Sequence, residues 1–369
     1  MTRLVTAILV AATASVAAAQ TPQPPSLIQN GRVETRTGQS VDQEIKALTN
    51  ADPVWLVWRV PMVAGDRDLC SSFYSDRNVY ARGYMMDWAP PGRIDAMGMP
   101  QVTPPKGPVQ IEAGTGLLVL VRAFEGSAER VRTLADDCPI DAGGRTVNWL
   151  SAITPAESVR FLEGLTRLDR LDQVSRYSAE ARRSTAGSAV TAISLHRDPA
   201  ADAVLDRLAT TGDLRRQAAQ ALASTRGGHG FATVQKLTAA EKDPEMRRML
   251  VGALGQTRET GTTEALRPYL RDADARVRAE TIYWFAQRGG TAVVAEVTKL
   301  VESETDDSVR RRGVSGISRL PANDSIPVLL QLARSSPNAV VRKEAVSALS
   351  HSKDPRAMAL MEELLRRNQ

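Results

Sequence analysis

The sequence predicts an α+β protein of two domains, a small β-rich N-terminal domain followed by an all-α solenoid. Three observations carry that expectation. Arg215, Arg247, Arg278, Arg310 and Arg342 recur at separations of 32, 31, 32 and 32 residues, each heading an apolar stripe of helical period. A period in the thirties made of two helices is the mark of a stacked repeat array. The stretches "PVWLVWRVPMV" (53–63) and "GPVQIEAGTGLLVLVRAFEG" (107–126) have the Val- and Trp-rich composition of strands. The change between the two regimes is abrupt, at "TPAESVRFLEGLTRL". Thr154 serves there as N-cap, Pro155 as first helical residue and Glu157 as the third, which is a capping box.

Residues 1–19 read as a signal peptide. Arg3 precedes a run of apolar and small residues that ends in Ala17-Ala18-Ala19, with the cut expected before Gln20. The alternative is an uncleaved membrane anchor. No Cys follows the run to accept a lipid, and no later stretch offers about 18 consecutive apolar residues. The expectation is a periplasmic or secreted protein without stable membrane insertion after cleavage. Residues 20–31, rich in Pro and Gln, form a flexible lead-in.

Residues 32–150 form the β-rich domain. The segment 107–126 reads as two short strands about a Gly turn, and "APPGRIDAMGMPQVTPPKGP" before it as a long Pro- and Gly-rich loop. Cys70 and Cys138 are the chain's only two cysteines. An even count in an oxidising compartment predicts a disulfide, with buried free thiols as the alternative. Metal binding needs more ligands, and no His lies near either in sequence.

Residues 151–180 hold the capped connecting helix, and 181–369 the repeats. Four residues after each register Arg stand Ala219, Val251, Ile282, Val314 and Val346, and seven after stand Leu222, Leu254, Phe285, Ile317 and Leu349. That spacing places them on one helix face. Ten before the Arg, Leu205, Leu237, Leu300 and Leu332 mark a preceding helix, with the shorter 31-residue unit shifted here. Asp243, Asp274, Asp306 and Asn338, four before the Arg, are expected to cap the second helix. Asp213, only two before Arg215, breaks that pattern, and Arg183 hints at one more degenerate unit. Each register Arg is expected to meet a carboxylate of its own or the neighbouring unit, giving a ladder of structural residues.

Cap, Arg and stripe keep register through five units, and here the chain resembles HEAT repeats, particularly the short type also found in phycobilin lyases. The resemblance covers about 180–369 and implies a right-handed HEAT-like solenoid with a binding or scaffolding surface. The layout as a whole resembles secreted bacterial proteins that place a β-rich region before HEAT-like repeats.

No catalytic, cofactor-binding or metal site is assigned. His196, His229 and His351 lie in turn-like positions of different units, and "RGGHGF" around His229 fits an inter-helix turn. No H-E-x-x-H, G-x-S-x-G or phosphate-binding Gly loop is present. Met85, Met86, Met97 and Met99 are read as gap-filling side chains, with Cu(I) ligation as the alternative. The net charge of +5 lies mainly in the recurring Arg of the C-terminal half and points only weakly to acidic partners; export argues against nucleic acid.

One departure singles out a binding candidate. Five and six residues after the register Arg the units carry small residues, apart from Gln220, but the central unit carries Tyr283-Trp284. Helical geometry puts the first nearly opposite the stripe, so Tyr283 is expected substantially exposed and Trp284 at least partly. The pair is a candidate anchor for a protein partner, or Trp284 fills a gap against the next helix. The leading function is a non-enzymatic protein–protein interaction module. A periplasmic regulator sensing a ligand or metal through its β-rich domain is the alternative, and a phycobilin-lyase-like enzyme a more distant one.

Overall fold

The computed structural model describes residues 27–48, 53–65, 69–70, 72–74, 80–82, 84–85, 116–167 and 179–367. The expected signal peptide (1–19), Met86, Met97, Met99, the expected Pro-rich loop and the first of the two strands expected in 107–126 lie outside them. A small β region precedes a run of paired helices, as the repeat period requires.

The β region opens with β1 (Ile28–Gln29), β2 (Arg32–Arg36) and a short helix α1 (Val41–Ala47) that the strand-like reading did not include. It continues through β3 (Val54–Pro61), β4 (Ser72–Tyr74), β5 (Tyr80–Arg82), β6 (Tyr84–Met85), β7 (Gly116–Phe124), β8 (Ser127–Ala135), β9 (Ile140–Asp141) and β10 (Thr146–Leu150). Its main sheet has the order β2-β10-β3-β7-β8, parallel from β2 to β3 and antiparallel from there. The hairpin β7–β8 closes over Glu125 and Gly126, both at positive φ (47° and 76°), the turn that matches strand twist. Strand β8, "SAERVRTLA", escapes a composition search because charged residues interrupt it at the sheet edge.

Strands β3 and β7 are apolar without alternation because both sheet faces are covered. On one face Trp55, Val57, Leu118, Leu120 and Trp149 form a closed core around the Cys70–Cys138 disulfide. On the other, Leu56, Trp58, Val119 and Val121 belong to a core that runs on into the helices.

The helices are α2 (Pro155–Leu165), α3 (Ala179–Leu195), α4 (Ala200–Thr210), α5 (Arg215–Thr225), α6 (Gly227–Ala240), α7 (Pro244–Gln256) and α8 (Thr262–Leu266). After a 3-10 segment (Arg267–Arg271) come α9 (Ala275–Gly289), α10 (Val294–Ser303), α11 (Asp307–Ser318), α12 (Ala322–Ser335), α13 (Ala339–Ser350) and α14 (Pro355–Arg367). Helices α3, α5, α7, α9, α11 and α13 stack in one layer, with their partners in a second. Within the first layer the predicted stripe is the core, with Val251, Leu254, Phe285, Val314 and Ile317 free of solvent exposure, except in α13, where Val346 is half-buried and Ala345 is buried instead. The 31-residue unit differs where α8 tightens into 3-10 turns at Pro268. "RGGHGF" is helix rather than turn; Gly227 starts α6 and His229 lies in its first turn.

A chain of buried hydrogen bonds locks the sheet to the helices. Trp58 Nε1–H donates to Ser158 Oγ at 2.7 Å. Ser158 Oγ lies 2.7 Å from His196 Nε2, and His196 Nδ1 lies 2.7 Å from Ala192 O. Indole donates only, and the carbonyl accepts only. The chain therefore runs one way, with neutral His196 protonated on Nδ1 and accepting from Ser158. Burial holds the imidazole down at about 4; the Ala192 carbonyl and Asp198 oppose this, and Arg226 assists.

Above the ordinary imidazole value of 6.5 this stability is complete, and it falls as pH drops, because the unfolded chain takes up a proton that the folded chain refuses until about 4. We expect urea unfolding to show about 2 kcal/mol lost by about pH 5, before the carboxylates titrate. A flat midpoint across that window would contradict a neutral, buried His196.

Candidate functional site

The recurring polar residues form the predicted ladder, in a specific form. Arg247 donates Nε to Asp272 Oδ2 at 2.7 Å and Nη2 to Oδ1 at 3.0 Å, while its Nη1 donates to the carbonyls of Glu241 and Lys242. Arg278 repeats this on Glu304, at 3.0 Å from both nitrogens, and on the carbonyls of Asp272 and Ala273. Arg215 bonds Glu241 in the same way through one nitrogen. Arg247 and Arg278 thus each clamp the loop before their own helix to the acid in the inter-helix turn of the next unit, whereas Arg215 reaches the acid alone.

The same acids hold the cap residues: the N–H groups of Asp243, Asp274 and Asp306 donate to Glu241, Asp272 and Glu304. Burial pushes the Glu304 carboxyl up, but the Arg278 hydrogen bonds and the Asp306 and Thr305 N–H groups outweigh it and hold the pKa below the usual range. These acids were not singled out in sequence, although they sit two residues before each cap.

The caps themselves stand where the spacing put them. Asp243 accepts from Met246 N–H, Asp274 from Arg276, Asp306 from Ser308 and Val309, and Asn338 from Val340 and Val341. Thr154 accepts from Glu157 N–H at 3.1 Å. Glu157, however, turns its carboxylate across the fold, accepting from Val41 N–H at the start of α1 and from Arg160. Helix α5 has no side-chain cap, in keeping with the shifted Asp213.

The ladder stops at Arg310. The position that should hold its acid is Ser336, so Arg310 turns back to Asp307 at 2.6 Å and its buried Nε has no partner. Arg342 keeps only the carbonyl half of the motif, donating to Ser336 and Pro337. Ser336→Glu restores the missing carboxylate, and we expect a gain of about 1 kcal/mol. An unchanged or lowered thermal midpoint would show that the seam there has closed against an acid.

The second-helix layer presents Tyr283 and Trp284 in a different state from the one expected. Tyr283 is half-buried rather than substantially exposed: the Arg312 guanidinium stacks 4.1 Å from its ring centroid, and α11 approaches closely at Gly316. Trp284 is also half-buried. It lies flat on Gly255 of α7, where an added Cβ would come within 2.2 Å of the indole. Its Nε1–H donates to Glu280 at 2.7 Å, and Arg288 stacks on the ring at 5.5 Å while donating to Gly255 O. The gap-filling role expected as the alternative therefore holds for Trp284, and Tyr283 lies in edge contact with it at 5.4 Å.

A cleft of about 580 Å³ lies between Ala64–Gly65 and the C-terminal ends of α5 and α7, lined in part by Thr225, Gln256 and Arg288. No group of three or more metal-ligating side chains occurs among the described residues, and no described helix is long and apolar enough to cross a membrane.

The geometry of paired helices in register is that of a known repeat. The HEAT repeats family model matches residues 232–318 and 294–369. These HEAT repeats occupy the array from α6 onward. Among solved structures the chain is similar to the Escherichia coli protein YibA, at 22% identity over 42% of this chain and 67% of that one, with a TM-score of 0.32. It is similar to an engineered protein at 20% identity, over 54% of this chain and 97% of that one, with a TM-score of 0.29. It is also similar to the complex of CpcE and CpcF of phycocyanin lyase from Nostoc sp. PCC7120, at 16% identity over 56% and 86% of the two chains, with a TM-score of 0.30. No curated protein matches the chain.

Proposed function

We propose that the chain is an exported protein–protein interaction module, holding a partner on the second-helix face of its HEAT repeats and doing no chemistry of its own. The observation that carries this reading is Tyr283, a half-exposed aromatic ring held between Trp284 and Arg312 where three of the other four units carry Gly or Ser. A ring fixed before contact loses little entropy on binding. HEAT repeats commonly mediate protein interactions. The Asp and Arg side chains that recur between Arg215 and Glu304 are engaged along the seam, which leaves the outer face for recognition. The apolar run before Gln20 and the Cys70–Cys138 disulfide support export to an oxidising compartment.

The test is site-directed photo-crosslinking in the native cell envelope. A photoreactive residue at position 283 should yield a discrete adduct, and one at exposed Lys299 on the first-helix layer should not. Tyr283→Ser should abolish capture with little change in the melting curve. Trp284 is unsuited to this test, since its truncation leaves a void over Gly255. Equal adducts from both positions, or capture undiminished by Tyr283→Ser, would sink the reading.

A further inference from the structure

The residue directly after the register Arg is basic in four of five units: Arg216, Arg248, Arg311 and Lys343. Arg216, Arg311 and Lys343 are exposed, and no carboxylate among the described residues pairs with any of them. Arg248 is half-buried and shares Glu245 and Glu280. Only the central unit has an apolar residue there, Ala279, and that unit carries Tyr283 one turn further on. Elsewhere the position of Tyr283 is Gly252, Ser315 or Ser347, which leave the neighbouring basic groups open to an approaching chain, and Gln220, which is tied to Gln256. The surface is a row with one feature per helix: exposed Arg216, Arg248 with its two carboxylates, the Tyr283 ring, and exposed Arg311 and Lys343.

The spacing of that row selects a conformation. Packed helices lie about 8–10 Å apart. A polyproline II chain rises about 3.1 Å per residue with three residues per turn. Every third side chain then returns to the same side after about 9 Å, in step with the helices. A β-strand cannot match this, because residues three apart point to opposite faces. The exposed charges of Arg216, Arg311 and Lys343 attract anions, and the half-exposed ring of Tyr283 at the centre suits the flat face of a proline.

We propose that this row docks an acidic polyproline II segment of a partner protein, with carboxylates at every third residue and a proline or apolar residue at the centre. The proposal rests on the interaction reading above and names the chemistry of its partner.

The full chain is titrated by fluorescence anisotropy with two synthetic peptides of one composition, rich in proline, about 13 residues long by the same spacing. One carries Glu at every third position around a central proline; the other carries the same Glu residues in one block. The spaced peptide should bind at least about tenfold more tightly, with affinity falling as salt rises. Arg311→Glu with Lys343→Glu should remove that preference, and Arg216→Glu, at the other end of the row, should weaken it independently. Equal binding of the two peptides, or binding that survives the reversals in folded protein, overturns the proposal. The crosslinking experiment separates the two levels. An adduct at position 283 that persists in the Arg311→Glu, Lys343→Glu variant keeps the interaction reading and rejects the acidic row, whereas no adduct at 283 in the unaltered protein rejects both.

Discussion

Arg278→Ala should cost about 3–4 kcal/mol, while the same change at Arg310 should cost less than about 1 kcal/mol. The two positions are equivalent in sequence register and differ only in what they meet. Arg278 and Glu304 are 18% and 13% exposed, and the guanidinium makes two bonds to that carboxylate and two to loop carbonyls. Removing it strands a buried carboxylate that also holds the Asp306 and Thr305 N–H groups. Arg310 instead pairs with Asp307, which is 49% exposed, so water replaces what the alanine removes. The measurement is chemical unfolding of both variants beside the parent chain. Equal losses at the two positions would show that the clamp on the next unit is not what stabilises the array. Glu304→Gln should then reproduce most of the Arg278 loss, because the geometry survives and the charge does not.

Reduction of Cys70–Cys138, or Cys70→Ser with Cys138→Ser, should cost about 4 kcal/mol by the closure entropy of the loop. The two residues are 68 apart, with Cα atoms 5.4 Å from each other. Both are buried in the core of the outer sheet face, against Trp55, Leu118 and Trp149. That core is separate from the one joining the sheet to the helices. The loss should therefore concentrate in the β region, read by near-ultraviolet circular dichroism of its tryptophans, with the helical signal retained at moderate temperature. Mass analysis without reductant should show no free thiol in the native protein. Two free thiols, or a helical array that melts together with the β region on reduction, would contradict this assignment.

The fold and the candidate site differed in how far they were legible from sequence. The caps were readable because Asp243, Asp274, Asp306 and Asn338 act on N–H groups two or three residues away, within one turn of chain. The stripe was readable for the same reason. The acids Glu241, Asp272 and Glu304 were harder to see, since the Arg that binds each lies in the preceding unit and the shorter unit shifts the offset by one residue. Strand β8 was missed because it is an edge strand whose apolar residues are separated by Glu129, Arg130 and Arg132. For Tyr283, helix angle alone gave an exposed position. It took no account of Arg312, which comes from the next unit and stacks on one face of the ring.

Sequence by itself determined the repeat, its two-helix unit, the caps and the pairing of the only two cysteines, because each depends on local spacing or on a count. Tertiary structure alone decided which Arg has a partner, where Glu157 directs its carboxylate, and that Trp58, Ser158 and His196 form one buried chain joining the sheet to the helices. Those outcomes depend on residues between about 25 and 140 positions apart being brought within hydrogen-bonding distance, and no periodicity along the chain encodes which of them will meet.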